Sequence, residues 1–186
     1  MSGRRSAAAE VWETLRAVVL AVLVALLVRQ FVVETYQVQG VSMQPTLQSG
    51  DRVLVNKLAL RLGPPRIGEI VVLHPPLNTP EDFIKRIVAL GGQTVAIRDG
   101  VVYVNGKVQP EPYLPTSCRG PRTMGPVRVP AGDVWVLGDH RAVSEDSTIF
   151  GPVPLTSIRG VAMFVWWPPR AARLLPRNAG VPGAHC

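Results

Sequence analysis

Cysteine is scarce in this chain of 186 residues: only Cys118 and Cys186 occur. Two cysteines cannot build a disulfide scaffold, and neither sits at a spacing that pairs metal ligands, so no metal site is expected. Charged residues are also few, at 18% against 47% hydrophobic, which excludes a wholly disordered chain and a long coiled coil. A periodic glycine is missing too: the 17 glycines and 18 prolines are spread without a repeat. That excludes collagen, disfavours an all-helical bundle and fits many turns between short strands. The length suits one folded domain with its own core and is short for two.

The formal net charge is +7, which admits a nucleic acid, an anionic membrane surface or a simple solubility bias. From Glu34 onward, 16 Lys and Arg stand against 11 Asp and Glu, scattered over the whole region. Without a basic stripe interleaved with aromatics, no nucleic-acid partner is expected.

One long apolar run is present. Ala17 to Val28 is uninterrupted, and Phe31, Val32 and Val33 extend it beyond Arg29 and Gln30. Counted over residues 11–33, a helix of about 1.5 Å per residue reaches across a hydrocarbon layer of roughly 30 Å if Arg16 and Arg29 snorkel to the interfaces. A transmembrane helix over 11–33 is therefore expected, with the lipid bilayer as a partner. Arg4 and Arg5 resemble the n-region of a cleaved secretory signal, but no small-x-small site follows and an Arg stands where the c-region would begin. Positive charge ahead of the run keeps the short N-terminus, 1–10, cytoplasmic and puts the remaining domain outside. This predicts a single-pass protein of the cytoplasmic membrane.

Downstream, apolar runs of strand length are bounded by turn residues at 35–39, 51–56, 69–74, 83–90, 134–137 and 160–166. Asp99-Gly100 and Asn105-Gly106 flank the β-rich Val101–Val104, which predicts a three-stranded meander. Between Lys107 and Pro130, six prolines in 24 residues predict an excursion without regular strands. The fold class expected is mainly β and antiparallel, over a domain at 34–169, with a loose tail at 170–186.

Four segments carry candidate chemistry. In Gly40-Val41-Ser42-Met43-Gln44-Pro45-Thr46-Leu47, a serine follows a strand end and Pro45 stops the ladder. Gly50 to Lys57 is a turn and a strand. In Phe83 to Leu90, period-2 alternation puts Phe83, Lys85, Ile87 and Ala89 on one face and Arg86 on the other. A lysine among apolar neighbours loses stability in its charged form. The fourth segment, Gly138 to Ser147, is a polar loop after a hydrophobic strand. Taken singly, these have plain alternatives: a turn serine, a snorkelling edge lysine and a solvated turn.

Together and in this order, the four segments resemble the boxes of bacterial type I signal peptidases. These are membrane-anchored Ser/Lys endopeptidases that remove signal peptides from exported preproteins. The resemblance spans the anchor and the domain from Tyr36 to Trp167, and implies that family's largely β fold without a cofactor. It makes Ser42 the nucleophile and Lys85 the general base. Ser144 would orient the lysine amine by a hydrogen bond, while Asp139, Arg141, Asp146 and Arg86 would hold the loop in place. The substrates would be signal peptides of secretory preproteins, cut after small residues at A-x-A sites. A substrate strand would lie along Tyr36 to Gly40, with Tyr36, Val38, Met43, Leu47 and Ile84 lining shallow pockets.

Residue chemistry agrees with this pairing. A serine hydroxyl needs a base to become a nucleophile, and a lysine serves only when neutral. Some positions depart from the family pattern. Gly91-Gly92-Gln93 replaces a Pro-Gly-Asp turn, and His140 replaces an Asn. Thr148 stands where an Arg often pairs with the aspartate, which leaves Arg141 or Arg86 to partner Asp146. Gly40 replaces a serine that donates to the oxyanion hole in some relatives, so backbone N–H groups must serve there.

Three rivals are weighed against this reading. A Ser/His/Asp hydrolase drawn from Ser42 with His74 or His140 conflicts with Lys85 in the base position. A self-cleaving repressor would carry a DNA-binding domain where the apolar run stands. A catalytically dead peptide-binding module does not explain why Ser42 and Lys85 occur together.

Overall fold

The computed structural model describes residues 7–175, 177 and 186. Helix α1 (Ala7–Phe31) leads into β1 (Val33–Gln37) and β2 (Arg52–Asn56). A one-turn α2 (Ala59–Leu62) precedes β3 (Ile70–Leu73), β4 (Phe83–Leu90), β5 (Thr94–Arg98), β6 (Val101–Val104) and β7 (Lys107–Val108). After these come β8 (Met124–Arg128), β9 (Asp133–Leu137), the short α3 (Ser147–Phe150), β10 (Val153–Pro154), β11 (Ile158–Trp167) and β12 (Arg173–Leu174). All ladders are antiparallel. The mainly β architecture expected from the turn-rich sequence is the one observed.

The large sheet runs β1-β2-β11-β3-β4-β9-β10, with β12 added on β11, and the second sheet runs β7-β6-β5-β8. β3 shows why the centre of the large sheet holds a continuous apolar run. Ile70 and Val72 face one core with Val38, Met43, Leu47, Val53 and Val165, whereas Val71 and Leu73 face the other with Ile87, Val136 and Val161. A third core joins the sheets: Val88, Ala89, Trp135 and Leu137 pack on Val95, Ile97, Val102 and Val104. A bulge between Ile87 and Ala89 turns the end of β4 into that third core, so Ala89 leaves the face it was expected to share with Lys85 and Ile87.

The predicted meander is present as β5, β6 and β7, with Asp99 and Asn105 at φ 47° and 51° in its two tight turns. The excursion differs from expectation. Met124–Arg128 forms β8 and pairs with β5 despite Pro126, because β8 lies at the edge of the second sheet, where a missing donor is tolerated.

The described residues of the tail, expected to be loose, make specific contacts. β12 pairs with β11 at Phe164 and Val165, the Arg173 guanidinium donates to Thr46 O, and Cys186 is disulfide-bonded to Cys118 across 68 residues. Backbone pairing at Arg173 and Leu174 and a covalent bond at Cys186 hold these residues, which composition alone would leave loose.

The expected transmembrane span at 11–33 falls mostly within α1, but Val33 already belongs to β1. Among the described residues, no helix is long and apolar enough to cross a membrane. Glu10, Glu13 and Arg16 interrupt the N-terminal half of α1. Its large apolar side chains from Val11 to Leu26 that are described are half or more exposed. Arg4 and Arg5, on which the expected orientation rests, lie outside the described residues.

Candidate active site

Ser42 follows the end of β1 in a turn entered through Gly40 at φ 80°, a conformation that favours glycine. The turn closes through Gln44 N–H to Val41 O at 3.0 Å and Leu47 N–H to Met43 O at 2.9 Å. Lys85 lies on β4 opposite Val71 of β3, which puts it on the apolar face with Phe83 and Ile87. Its Nζ donates to Ser42 Oγ at 2.9 Å although the residue is only 4% exposed. Burial pulls the amine down from 10.5 to about 8, and the carboxylates of Asp146, Glu145 and Asp139 pull weakly the other way. About a tenth of such an amine is neutral at pH 7, and that form, within hydrogen-bond reach of a hydroxyl, can take its proton.

The loop after β9 closes over this pair. His140 N–H donates to Ser42 O at 3.0 Å and ties the loop to the serine turn. Gly138 makes the approach possible: a Cβ there would lie 2.1 Å from Ser144 Oγ and 2.6 Å from Ser42 O. Ser144 is brought to the site, but among the described residues its buried Oγ makes no hydrogen bond, so the expected bond to Lys85 is not formed. Lys85 is hydrogen-bonded to Ser42 instead, and Ser144 packs over Gly138.

On the other face of β4, Arg86 is fully buried. Its Nε and Nη2 donate to the two oxygens of Asp139 at 2.9 and 2.6 Å, and Nη1 donates to Gly68 O at 2.9 Å and Arg177 O at 3.1 Å. Thr46 Oγ1 donates to Asp139 Oδ2 at 2.5 Å, and the guanidinium stacks 3.8 Å from the centre of the Tyr113 ring. Burial works against this charge, yet Asp139 outweighs it and holds the Arg86 pKa above its ordinary value.

Arg141 is occupied elsewhere, donating from Nε to Gly138 O at 2.8 Å and from both terminal nitrogens to Glu111. Glu111 also accepts from Tyr113 Oη at 3.0 Å. The expectation that Arg141 or Arg86 partners Asp146 is therefore corrected: each is already bound to a different carboxylate. The partner is Arg122, whose Nη1 is 3.4 Å from Asp146 Oδ1 and also donates to Thr148 Oγ1. Asp146 in turn accepts from Gly138 N–H and Thr148 N–H, each at 3.1 Å, and caps α3.

A groove of about 410 Å³ runs from the Ser42–Lys85 pair between residues 35–39 and 81–84. Tyr36, Val38, Met43 and Ile84 line it as expected. Leu47 does not: it is 0% exposed in the core, because the turn after Ser42 folds it inward. Gly40 is not part of the lining either, and its role is in the turn. Sequence reasoning missed Thr35, Gln37, Gln39, Glu81 and Asp82, which also line the groove. Strand alternation could have suggested the first three; Glu81 and Asp82 precede β4 in an irregular stretch that carries no such signal. Burial, with Glu34 and Asp82 nearby, pushes the Tyr36 hydroxyl up to about 12, so it stays protonated. Of the histidines proposed as rival bases, His74 pairs with Asp82 at 3.3 Å and His140 Nδ1 is buried without a hydrogen-bond partner among the described residues. Among the described residues, no cluster of His, Cys, Asp and Glu is arranged to hold a metal ion.

Residues 11–167 match the family model described as signal peptidase, peptidase S26. The chain is 39% identical over 165 residues to a probable signal peptidase I-1 of Synechocystis sp., covering 84% of this chain and 82% of that one. It is 41% identical over 161 residues to signal peptidase I of Bacillus caldolyticus, covering 80% and 87%. With signal peptidase I T of Bacillus subtilis it shares 38% over 162 residues, covering 82% and 83%. On the strength of a match along nearly the whole described domain, the chain belongs to the type I signal peptidases of peptidase family S26 and is a serine peptidase.

Proposed function

We propose that this enzyme cleaves signal peptides from exported preproteins after small residues, with Ser42 as nucleophile and Lys85 as general base. The observation that carries this reading is the 2.9 Å contact between Lys85 Nζ and Ser42 Oγ, with the lysine buried on an apolar strand face. Neutral Lys85 removes the hydroxyl proton as Ser42 Oγ attacks the scissile carbonyl. The resulting ammonium then returns the proton to the leaving amine, and the acyl-enzyme is hydrolysed by a water that Lys85 activates in the same way. Backbone N–H groups of the serine turn stabilise the oxyanion. Ser144, packed against Gly138, supports the site by holding the loop after β9 against the serine turn.

Substrate is held by strand addition. Phe83, Ile84 and Lys85 pair with β3 on one side, and β9 joins the other side of β4 only from Arg86 onward, so the groove runs along an open strand edge. Val38, Met43 and Ile84 line the same groove as Ser42 and Lys85 and would form shallow pockets for small side chains such as alanine.

Residues 11–33 anchor the enzyme in the cytoplasmic membrane, with 1–10 inside and 34–169 outside. The support is the apolar run and the exposed large apolar side chains of α1, which a lipid layer removes from water. Protease added to right-side-out spheroplasts should digest the domain, and complete protection until lysis would refute this orientation.

The function itself is tested with a peptide carrying an Ala-x-Ala site. Ser42→Ala and Lys85→Ala should each abolish cleavage, whereas His74→Ala and His140→Ala retain most of it. Near-normal turnover by Lys85→Ala would refute the base assignment and revive a histidine.

A further inference from the structure

Asp146 poses a physical problem. Its carboxylate is fully buried, it caps α3 and it pins Gly138 N–H, so it fixes both ends of the loop that carries Ser144. It is also an anion facing a lysine that must give up its proton. The carboxylates of Asp146, Glu145 and Asp139, all from the loop after β9, act on Lys85, and Glu81 and Asp82, ahead of β4, line the groove beside it. Asp139 is bound by Arg86, and Asp146 is bound by Arg122.

We propose that Arg122 is a positioning residue for the peptidase reaction: reaching from the proline-rich excursion to Asp146 and Thr148, it fixes the Ser144 loop and offsets the negative charge that Asp146 presents to Lys85. The inference rests on Lys85 acting as the base.

The geometry on the Arg122 side supports a fixed rather than an incidental contact. Arg122 O accepts from Gly100 N–H at 2.9 Å, and Thr123 Oγ1 accepts from Asp99 N–H at 3.1 Å, so the β5–β6 hairpin holds the backbone from which the guanidinium extends. Thr148 Oγ1 donates to Asp146 Oδ1 at 2.7 Å and accepts from Arg122, which closes a three-membered network. Arg119 and Arg141 line the same small cavity as Arg122. Arg141 is committed to Glu111, and Arg119 Nε has no hydrogen-bond partner among the described residues. Asp146 is the first of the carboxylates that favour the charged form of Lys85. Removing a cation bound to it raises the lysine's proton affinity, both through the unmasked anion and through loss of the positive charge itself.

The test is the pH dependence of kcat/KM for an Ala-x-Ala peptide in the full chain. Arg122→Gln should move the acidic limb up by about half a pH unit, a loss of roughly threefold at pH 7 with the high-pH plateau little changed. Arg122→Lys should return the limb towards wild type, as should Arg122→Gln combined with Thr148→Arg. Arg119→Gln should leave it in place. A merely structural Arg122 would lower the plateau without moving the limb, and an unmoved limb in Arg122→Gln overturns the proposal. Should Arg122→Gln fail to fold, the double variant decides: a wild-type limb supports the inference and a displaced one overturns it. An active Lys85→Ala would instead defeat the underlying base assignment, so the two failures are distinguishable.

Discussion

Two adjacent residues on β4 face opposite sides of the sheet and meet opposite electrostatic fates. Lys85 is buried among Phe83, Val71 and Ile87 with a neutral serine as its hydrogen-bond partner, and burial lowers its pKa to about 8. Arg86 is buried still more completely, but Asp139 meets it with two hydrogen bonds and holds its charge. Burial alone therefore does not decide protonation. The partner does: a carboxylate in fork geometry offsets the desolvation of a guanidinium, whereas a hydroxyl offsets little of the desolvation of an ammonium. One face pairs a lysine of lowered pKa with a serine, and the other fastens Asp139 at the start of the adjoining loop.

The largest effect expected from this contrast is on activity. Lys85→Met should lower kcat by about 10⁴-fold or more while the protein stays folded, because the nucleophile loses its base. Single-turnover cleavage of an Ala-x-Ala peptide measures it, and a loss under tenfold would break the assignment of this face. Arg86→Met should act on stability instead. Leaving Asp139 buried without its cation costs about 3–5 kcal/mol, read from urea unfolding, and a cost under about 1 kcal/mol would show that the pair is not holding the fold.

Cys118, disulfide-bonded to Cys186, packs with Tyr113, whose ring stacks on the Arg86 guanidinium. Reduction should lower stability by about 2–4 kcal/mol. Turnover at a temperature where the protein remains folded should change by less than about threefold. A collapse of kcat on reduction, without unfolding, would mean that the two faces are not independent.

The sign reverses for Lys85 in stability. With a folded pKa lowered from 10.5 to about 8, the site costs about 3 kcal/mol below pH 8, and this cost declines as pH rises towards 10.5. Lys85→Met should consequently be more stable than wild type by about 1–3 kcal/mol at pH 7, with the advantage fading above pH 8. Wild-type kcat/KM should rise over the same window, with its acidic limb near 8. A limb near 6.5 would point to a histidine.

Much of this protein was legible in its sequence because the signals are local. Strand-length apolar runs, Asp99-Gly100 and Asn105-Gly106 each specify a backbone path within a few residues. Period-2 alternation alone put Lys85 and Arg86 on opposite faces of one strand. Ser42 and Lys85 were legible as a pair because four short segments occur in one order. Their contact across 43 residues follows from the sheet that joins them.

What only the tertiary structure decided is which distant groups meet. Asp146 found Arg122, 24 residues away, because Arg86 and Arg141 had been claimed by Asp139 and Glu111. Cys118 found Cys186 across 68 residues, Leu47 turned inward, and Ser144 settled over Gly138 rather than on the lysine. Periodicity fixes the direction of a side chain relative to its own strand. The choice among several partners of like charge, or between core and groove, is made by packing whole elements together, and no window of neighbouring residues contains that information.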